Sequence, residues 1–213
     1  MDLENLNKEQ KKAVLYNEGP LLILAGAGSG KTKVLTTKIA YLIKEKGISP
    51  YEVLAITFTN KAAKEMKERV ENLIGEEARF IQISTFHSFG LRLLRENCKD
   101  LGYDPNFVIM DSDDSLVIVK KIMKDLNYDI KQFSPKAVKN KISSCKNELM
   151  TPNDYEKYVA GDFDQIILDV YRKYEEKLKS SNAVDFDDLL LLPIKLFRKH
   201  KDILEMYQNR YKY

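Results

Sequence analysis

Between Ala25 and Thr32 the chain reads AGAGSGKT, three glycines alternating with small residues and closing on a lysine and a hydroxyl. Gly26, Gly28 and Gly30 lack a Cβ, so the backbone can curl until its N–H groups face inward as a nest for phosphate oxygens. Lys31 would meet the β- and γ-phosphates of a nucleoside triphosphate as a point charge, and the Thr32 hydroxyl would hold a Mg2+ that neutralises the rest. Ala25 stands where the general pattern has its first glycine, and Ala27 and Ser29 complete the loop. A Gly/Ser turn beside a lysine is common, so the flanking elements decide. Residues 21–25 form an apolar run expected as a buried strand, and Leu35, Ile39, Leu42 and Ile43 follow at helical spacing. The helix aims its positive end at the same anion that the loop would cradle.

The same alternation continues. Residues 53–58 (VLAITF) are expected as a second strand, followed by a helix with Ala62, Ala63, Met66, Val70 and Leu73 on one face and Asn60 as its cap. Residues 80–84 make a third strand, followed by a helix bearing Phe89, Leu93 and Leu94. Strands alternating with helices imply an α/β fold with a parallel sheet covered on both faces. Ligands of such sheets bind at the carboxyl ends of the strands, which brings Thr59, Asn60, Thr85 and His87 to the edge that carries the glycine loop. These short polar groups suit phosphate and sugar contacts. Phe58 and Phe86 offer faces on which a base could stack, or equally they pack into the core.

After Asp104-Pro105 the texture changes. A short apolar run at 107–110 ends at Asp111, and from there to about Asn182 the pattern is helical. Val138, Ile142, Cys145 and Leu149 form an apolar stripe flanked by Lys139 and Lys146 on one side and Lys141 on the other. This reads as an all-helical subdomain inserted in the α/β domain, giving a division into 1–108, 109–184 and 185–213. Further helical segments are expected after Val184. Nucleotide hydrolysis usually needs an acidic residue at the end of another strand. No apolar run here ends in Asp-Glu; Asp111-Ser112-Asp113 reads better as a helix cap, and Asp169 lies within a helical pattern.

Composition sets the outer bounds. The 213 residues, 44% of them hydrophobic, suffice for a globular core. With 35 basic and 32 acidic residues the net charge of +3 is too small to argue for nucleic acid alone. Residues 117–150, however, carry eight lysines against three acids, whereas 151–190 carry ten acids against five bases. That split suits either a DNA-facing surface or an ordinary solvated one. Cys98 and Cys145 lack metal-ligand spacing and read as reduced, packed thiols. No run approaches the roughly 20 apolar residues of a membrane span, and the start lacks signal-peptide character, so a cytoplasmic protein is expected.

Five stretches, in order, resemble the amino-terminal part of a superfamily 1 DNA helicase of the UvrD/PcrA/Rep type. Leu6-Asn7-Lys8-Glu9-Gln10 is similar to the Q motif, and residues 25–32 to motif I. Thr57-Phe58-Thr59-Asn60-Lys61-Ala62-Ala63, continuing to Met66 and Arg69, resembles motif Ia; Ile83-Ser84-Thr85-Phe86-His87-Ser88-Phe89 resembles motif Ib. Val184-Asp185-Phe186-Asp187-Asp188-Leu189 resembles a further motif of the family, although the three aspartates also suit the start of a helix.

The resemblance implies a RecA-like domain (1A) with an inserted helical subdomain (1B). It implies Gln10 reading adenine, the loop from Ala25 to Thr32 with Lys33 binding ATP, Lys31 and Thr32 acting on its phosphates, and Thr32 on Mg2+. Phe58, Thr59, Asn60, Thr85, Phe86 and His87 would meet single-stranded DNA, and the lysine-rich helix would meet duplex at a single-strand/double-strand junction. The activity implied is 3′ to 5′ translocation and unwinding driven by ATP. Where the family usually has arginine after Lys-Thr, this chain has Lys33, which gives charge without a stacking plane and shifts adenine selection toward Gln10. Motif II, with its Asp-Glu, is absent from the 213 residues, so they resemble a piece ending just before the catalytic carboxylates. By themselves they are expected to be monomeric, to bind ATP weakly and to hydrolyse it negligibly. A naturally short DNA-binding module, a P-loop kinase, and the helicase subunit of a helicase–nuclease are the alternatives.

Overall fold

The computed structural model describes residues 3–213; residues 1 and 2, at the start of the expected first domain, lie outside it. The chain forms a mixed helix and strand structure with two small parallel sheets, divided into two compact units. One comprises the chain through Phe86 together with Asp202–Tyr213, the other His87–Lys201.

In the first unit, helix α1 (Lys8–Leu15) starts with a capping box between Asn7 and Gln10. Its last carbonyls are gathered by Lys38 of α2 (Lys31–Lys44), whose ammonium donates to the backbone oxygens of Ala13, Val14 and Tyr16. Burial lowers the pKa of that ammonium. Strand β1 (Leu54–Thr57), helix α3 (Asn60–Ile74) and strand β2 (Gln82–Thr85) form a right-sized crossover, and the strands pair in parallel with Leu54 opposite Gln82 and Thr57 opposite Thr85. Ile39, Ala40 and Ile43 of α2 meet Met66, Val70 and Ile74 of α3 in the core, beside Val53 and Ile81. The end of the chain returns beside β1, where the Leu54 N–H donates to the Tyr213 carbonyl at 2.9 Å.

The expected first strand is corrected. Residues 21–25 join neither sheet, and Leu22 and Leu24 are 82% and 87% exposed. An apolar run becomes a strand only where a neighbouring backbone pairs with it, and in this unit β1 pairs with β2 instead. Asn60 is likewise the first residue of α3 and not its cap: the Thr59 side chain accepts the Ala62 N–H at 3.1 Å.

The second unit is mainly helical. It contains α4 (Phe86–Asn97, from its second residue), α5 (Ser112–Asp125), α6 (Pro135–Asn147), the short α7 (Pro152–Tyr155), α8 (Asp162–Ser180) and α9 (Asp188–Lys199). Asp111 caps α5 as its sequence suggests, accepting from the N–H groups of Asp113 and Asp114. The apolar faces of α5, α6 and α8 close one core through Val119, Met123, Val138, Ile142, Ile167 and Tyr171. A short parallel pair, β3 (Val108–Met110) and β4 (Ala183–Asp185), lies in this unit. The sequence pattern offers only helix up to about Asn182 and after Val184, so strand β4 is a correction: its buried Ala183 and Val184 pair with the apolar run at 108–110. Among the described residues, no helix is long and apolar enough to cross a membrane.

Candidate nucleotide and nucleic-acid site

The glycine loop has the backbone that its composition suggests. Gly28 and Gly30 take φ of 75° and 83°, the left-handed region that side-chain-bearing residues avoid. Gly30 occupies the N-cap of α2 without a side-chain cap, so the first turn keeps its N–H groups for an outside acceptor. Lys31 folds back over the loop, donating to the carbonyls of Ala25 and Gly26 at 3.0 and 2.6 Å. The Ser29 hydroxyl donates to the Gly26 carbonyl at 2.7 Å. A triphosphate would offer Lys31 an anionic acceptor in place of two neutral carbonyls, adding charge attraction to the hydrogen bond. The loop, the uncapped helix end and the ammonium therefore fit a polyphosphate.

Gln10 is tied to this loop. Its Oε1 accepts the Asn7 N–H at 3.1 Å, and its Nε2 donates to the Ser29 carbonyl at 2.9 Å. A primary amide has two N–H donors and two acceptor lone pairs, so each end retains one more bond for a base edge. A Cβ on Gly30 would sit 2.8 Å from Gln10 Nε2, so the glycine also makes room for that side chain. Lys33 reaches away, donating to the Asn5 carbonyl at 2.6 Å. Thr32, half-buried, is the one hydroxyl of the expected Mg2+ site. No cluster of three His, Cys, Asp or Glu able to hold a metal occurs among the described residues.

At the carboxyl ends of β1 and β2 the two candidate aromatics stand in solvent. Phe58 is 91% exposed and Phe86 is half-exposed, with ring centroids 6.0 Å apart. Neither packs into the core, so the competing reading of these rings as core residues is set aside. Asn60 is exposed; Thr59 spends its side-chain oxygen on the helix cap, and Thr85 is buried at the end of β2. In the second unit, His87 stacks on Phe186 with centroids 4.3 Å apart.

A model of the UvrD/REP helicase N-terminal domain matches residues 6–213. The chain belongs to the UvrD/REP helicase N-terminal domain family. It is 50% identical over 211 residues to the ATP-dependent DNA helicase PcrA of Staphylococcus epidermidis, and 49% identical to PcrA of Bacillus subtilis and of Staphylococcus aureus. Each comparison covers 99% of the chain and 29% of the relative.

Within this UvrD/REP domain Asp187 and Asp188 stand at the start of α9, as their sequence suggests, and Phe186, which the sequence offers only as part of its motif, stands beside them. Asp185 and Asp188 are buried and Phe186 is exposed, an inversion of ordinary burial that is itself a signal of function. The aspartates do more than charge a helix start, because Lys146 lies between them. Its ammonium is 2.8 Å from Asp185 Oδ2 and 3.0 Å from Asp188 Oδ1. Lys146, grouped with Lys139 and Lys141 as a possible duplex contact, has a fully buried side chain and cannot face DNA. Of the other two, Lys139 donates to the Ser112 hydroxyl and Lys141 lies over the Tyr155 ring.

Proposed function

We propose that the chain is the ATP- and DNA-binding N-terminal portion of an ATP-dependent helicase that moves 3′ to 5′ along single-stranded DNA and unwinds duplex at a junction. The observation that carries the reading is the bare aromatic pair Phe58 and Phe86, exposed at the ends of the strands of a domain whose glycine loop fits a polyphosphate. The chain spans 29% of the length of its PcrA relatives, so the motor activity is proposed for the whole protein. Residues 1–108 and 185–213 would belong to a RecA-like domain and 109–184 to an inserted helical one. A cytoplasmic location goes with this reading.

In this reading the nest of N–H groups and Lys31 hold the β- and γ-phosphates, while the Gln10 amide reads the adenine edge. Thr32 supplies a hydroxyl to Mg2+, which offsets phosphate charge when bound. Phe58, Phe86, His87 and Phe186 stack unpaired bases, and Asn60 is available to sugar and phosphate. Stacking tolerates any base, as a translocating protein requires. The chain by itself is a binder, since it lacks an Asp-Glu at a strand end to align water for hydrolysis.

Two variants test the two halves of the reading. Lys31→Ala is expected to weaken binding of a fluorescent ATP analogue by about tenfold or more, the loss of a charge-assisted contact, while oligo(dT) binding is retained. Phe58→Ala is expected to weaken oligo(dT) binding by roughly tenfold, as for one stacked base. Its ring lies outside the core and touches only exposed Phe86 among the aromatic pairs named above, so the melting temperature should hold. Unchanged nucleotide affinity in the first, or unchanged oligo(dT) affinity in the second, overturns that half.

A further inference from the structure

We infer that Lys146 is a positioning residue for single-stranded DNA: buried beneath the Asp185–Asp188 corner, it pins the loop that holds Phe186 against His87. The inference rests on the proposed role of Phe186 as a stacking face. Its basis is a set of contacts that converge on four residues of chain.

Asp185 ends β4 and Asp188 begins α9, and they close the corner reciprocally. The Asp185 N–H donates to Asp188 Oδ2 at 3.1 Å, and the Asp188 N–H donates to Asp185 Oδ1 at 2.9 Å. Each carboxylate gives its remaining oxygen to Lys146 Nζ. Glu175 Oε1 lies 2.8 Å from the same ammonium as an ion pair, and the Tyr174 hydroxyl donates to Asp185 Oδ2 at 3.0 Å. The next residue of α6, Asn147, donates to Asp187 Oδ1 at 3.3 Å. Asp185 and Asp188 are thus anchored inward, and Asp187 is tied to α6 at the surface. The remaining member of the corner, Phe186, is 56% exposed and lies on His87.

Packing alone does not fix that ring. A cavity of about 390 Å³, lined by residues that include Ser112, Lys139, Ile142, Tyr174 and Phe186, opens beside it. A buried ion cluster is also a poor way to gain stability, because desolvating its charges offsets their attraction and apolar substitutes often serve as well. What it supplies is geometry, as each partner must meet the ammonium from one direction. From the other side, α4 is held close to α9 at Gly90, where an added Cβ would lie 1.9 Å from the Leu189 carbonyl oxygen. His87 precedes Gly90 by three residues and Phe186 precedes Leu189 by three, so the close contact sets the spacing of the two rings.

The chain has no tryptophan, so Phe186→Trp installs a single fluorescent reporter at the corner. Adding Lys146→Met is expected to shift its emission to the red and raise acrylamide quenching at least twofold. In the chain with Phe186 intact, Lys146→Met should weaken oligo(dT) binding by about tenfold, the equivalent of one stacked base, with affinity for a fluorescent ATP analogue unchanged. Should Lys146→Met fail to fold, Lys146→Met/Asp188→Asn removes one of the uncompensated carboxylates and carries the same expectations. A folded variant whose reporter and oligo(dT) affinity both match the unsubstituted chain overturns the inference. Failure of the unsubstituted chain to bind oligo(dT) overturns the functional reading; the reporter still decides whether Lys146 holds the corner.

Discussion

Gly90→Ala is expected to destabilise the second unit by about 3 kcal/mol, the upper end of the range for overpacking a well-packed site. The methyl group would be placed 1.9 Å from the Leu189 carbonyl oxygen and 3.5 Å from Pro193 Cγ. Trimming a neighbouring side chain cannot relieve the first contact, because its partner is backbone. The helices must separate, and with them the positions of His87 at one end of α4 and Phe186 before α9. For a chain of this size such a loss corresponds to a fall in melting temperature of roughly 6–12 °C. Thermal unfolding followed by circular dichroism measures it, and an alanine variant melting with the parent would remove the close approach of α4 and α9. Pro193→Ala in the same background is expected to recover little.

The contrast between what was and was not readable beforehand follows the range of the interactions. The glycine loop was legible because its conformation depends on residues within a few positions: left-handed backbone at Gly28 and Gly30, then a helix. The Asp111 cap was legible for the same reason. Residues 21–25 were not, since an apolar run says that a segment seeks partners without saying which are present. Lys146 was misread because helical periodicity puts it at the margin of the stripe of Val138, Ile142 and Cys145, where lysines usually reach solvent. Leu149, the stripe's last expected member, instead lies past the end of α6 with φ of 58°. The charges that keep Lys146 inside are 29, 39 and 42 residues away in sequence, and no local pattern announces them. Phe186 was hidden by the same gap: its exposure follows from the burial of the aspartates around it.

The buried cluster should also make stability fall as pH rises from the acid range toward neutrality, opposite to the usual behaviour of carboxylates. Three carboxylates, Asp185, Asp188 and Glu175, face one ammonium, and the Tyr174 hydroxyl and the Asp188 N–H also donate to Asp185. Burial pushes the Asp188 carboxyl up to about 7; Lys146 opposes the shift, and Asp185 and Glu175 add to it. Burial alone would lower the pKa of Lys146, but the three carboxylates raise it well above the ordinary lysine range, so it stays charged throughout. Unfolded, Asp188 would titrate near 3.8. Between that pH and about 7 the folded cluster holds a proton that the unfolded chain has released, so stability from this source is greatest at the acid end. It declines as pH rises and is gone above the folded value. The proton belongs to the coupled cluster, with Asp188 its principal site. From pH 5 to pH 7 the loss is on the order of 2 kcal/mol. Asp188→Asn cannot ionise, and although it costs a hydrogen bond at every pH, it should remove this slope. Urea unfolding of both proteins across that range gives the comparison: a difference between parent and variant that does not change with pH would mean that Asp188 is ionised throughout, held as an anion by Lys146.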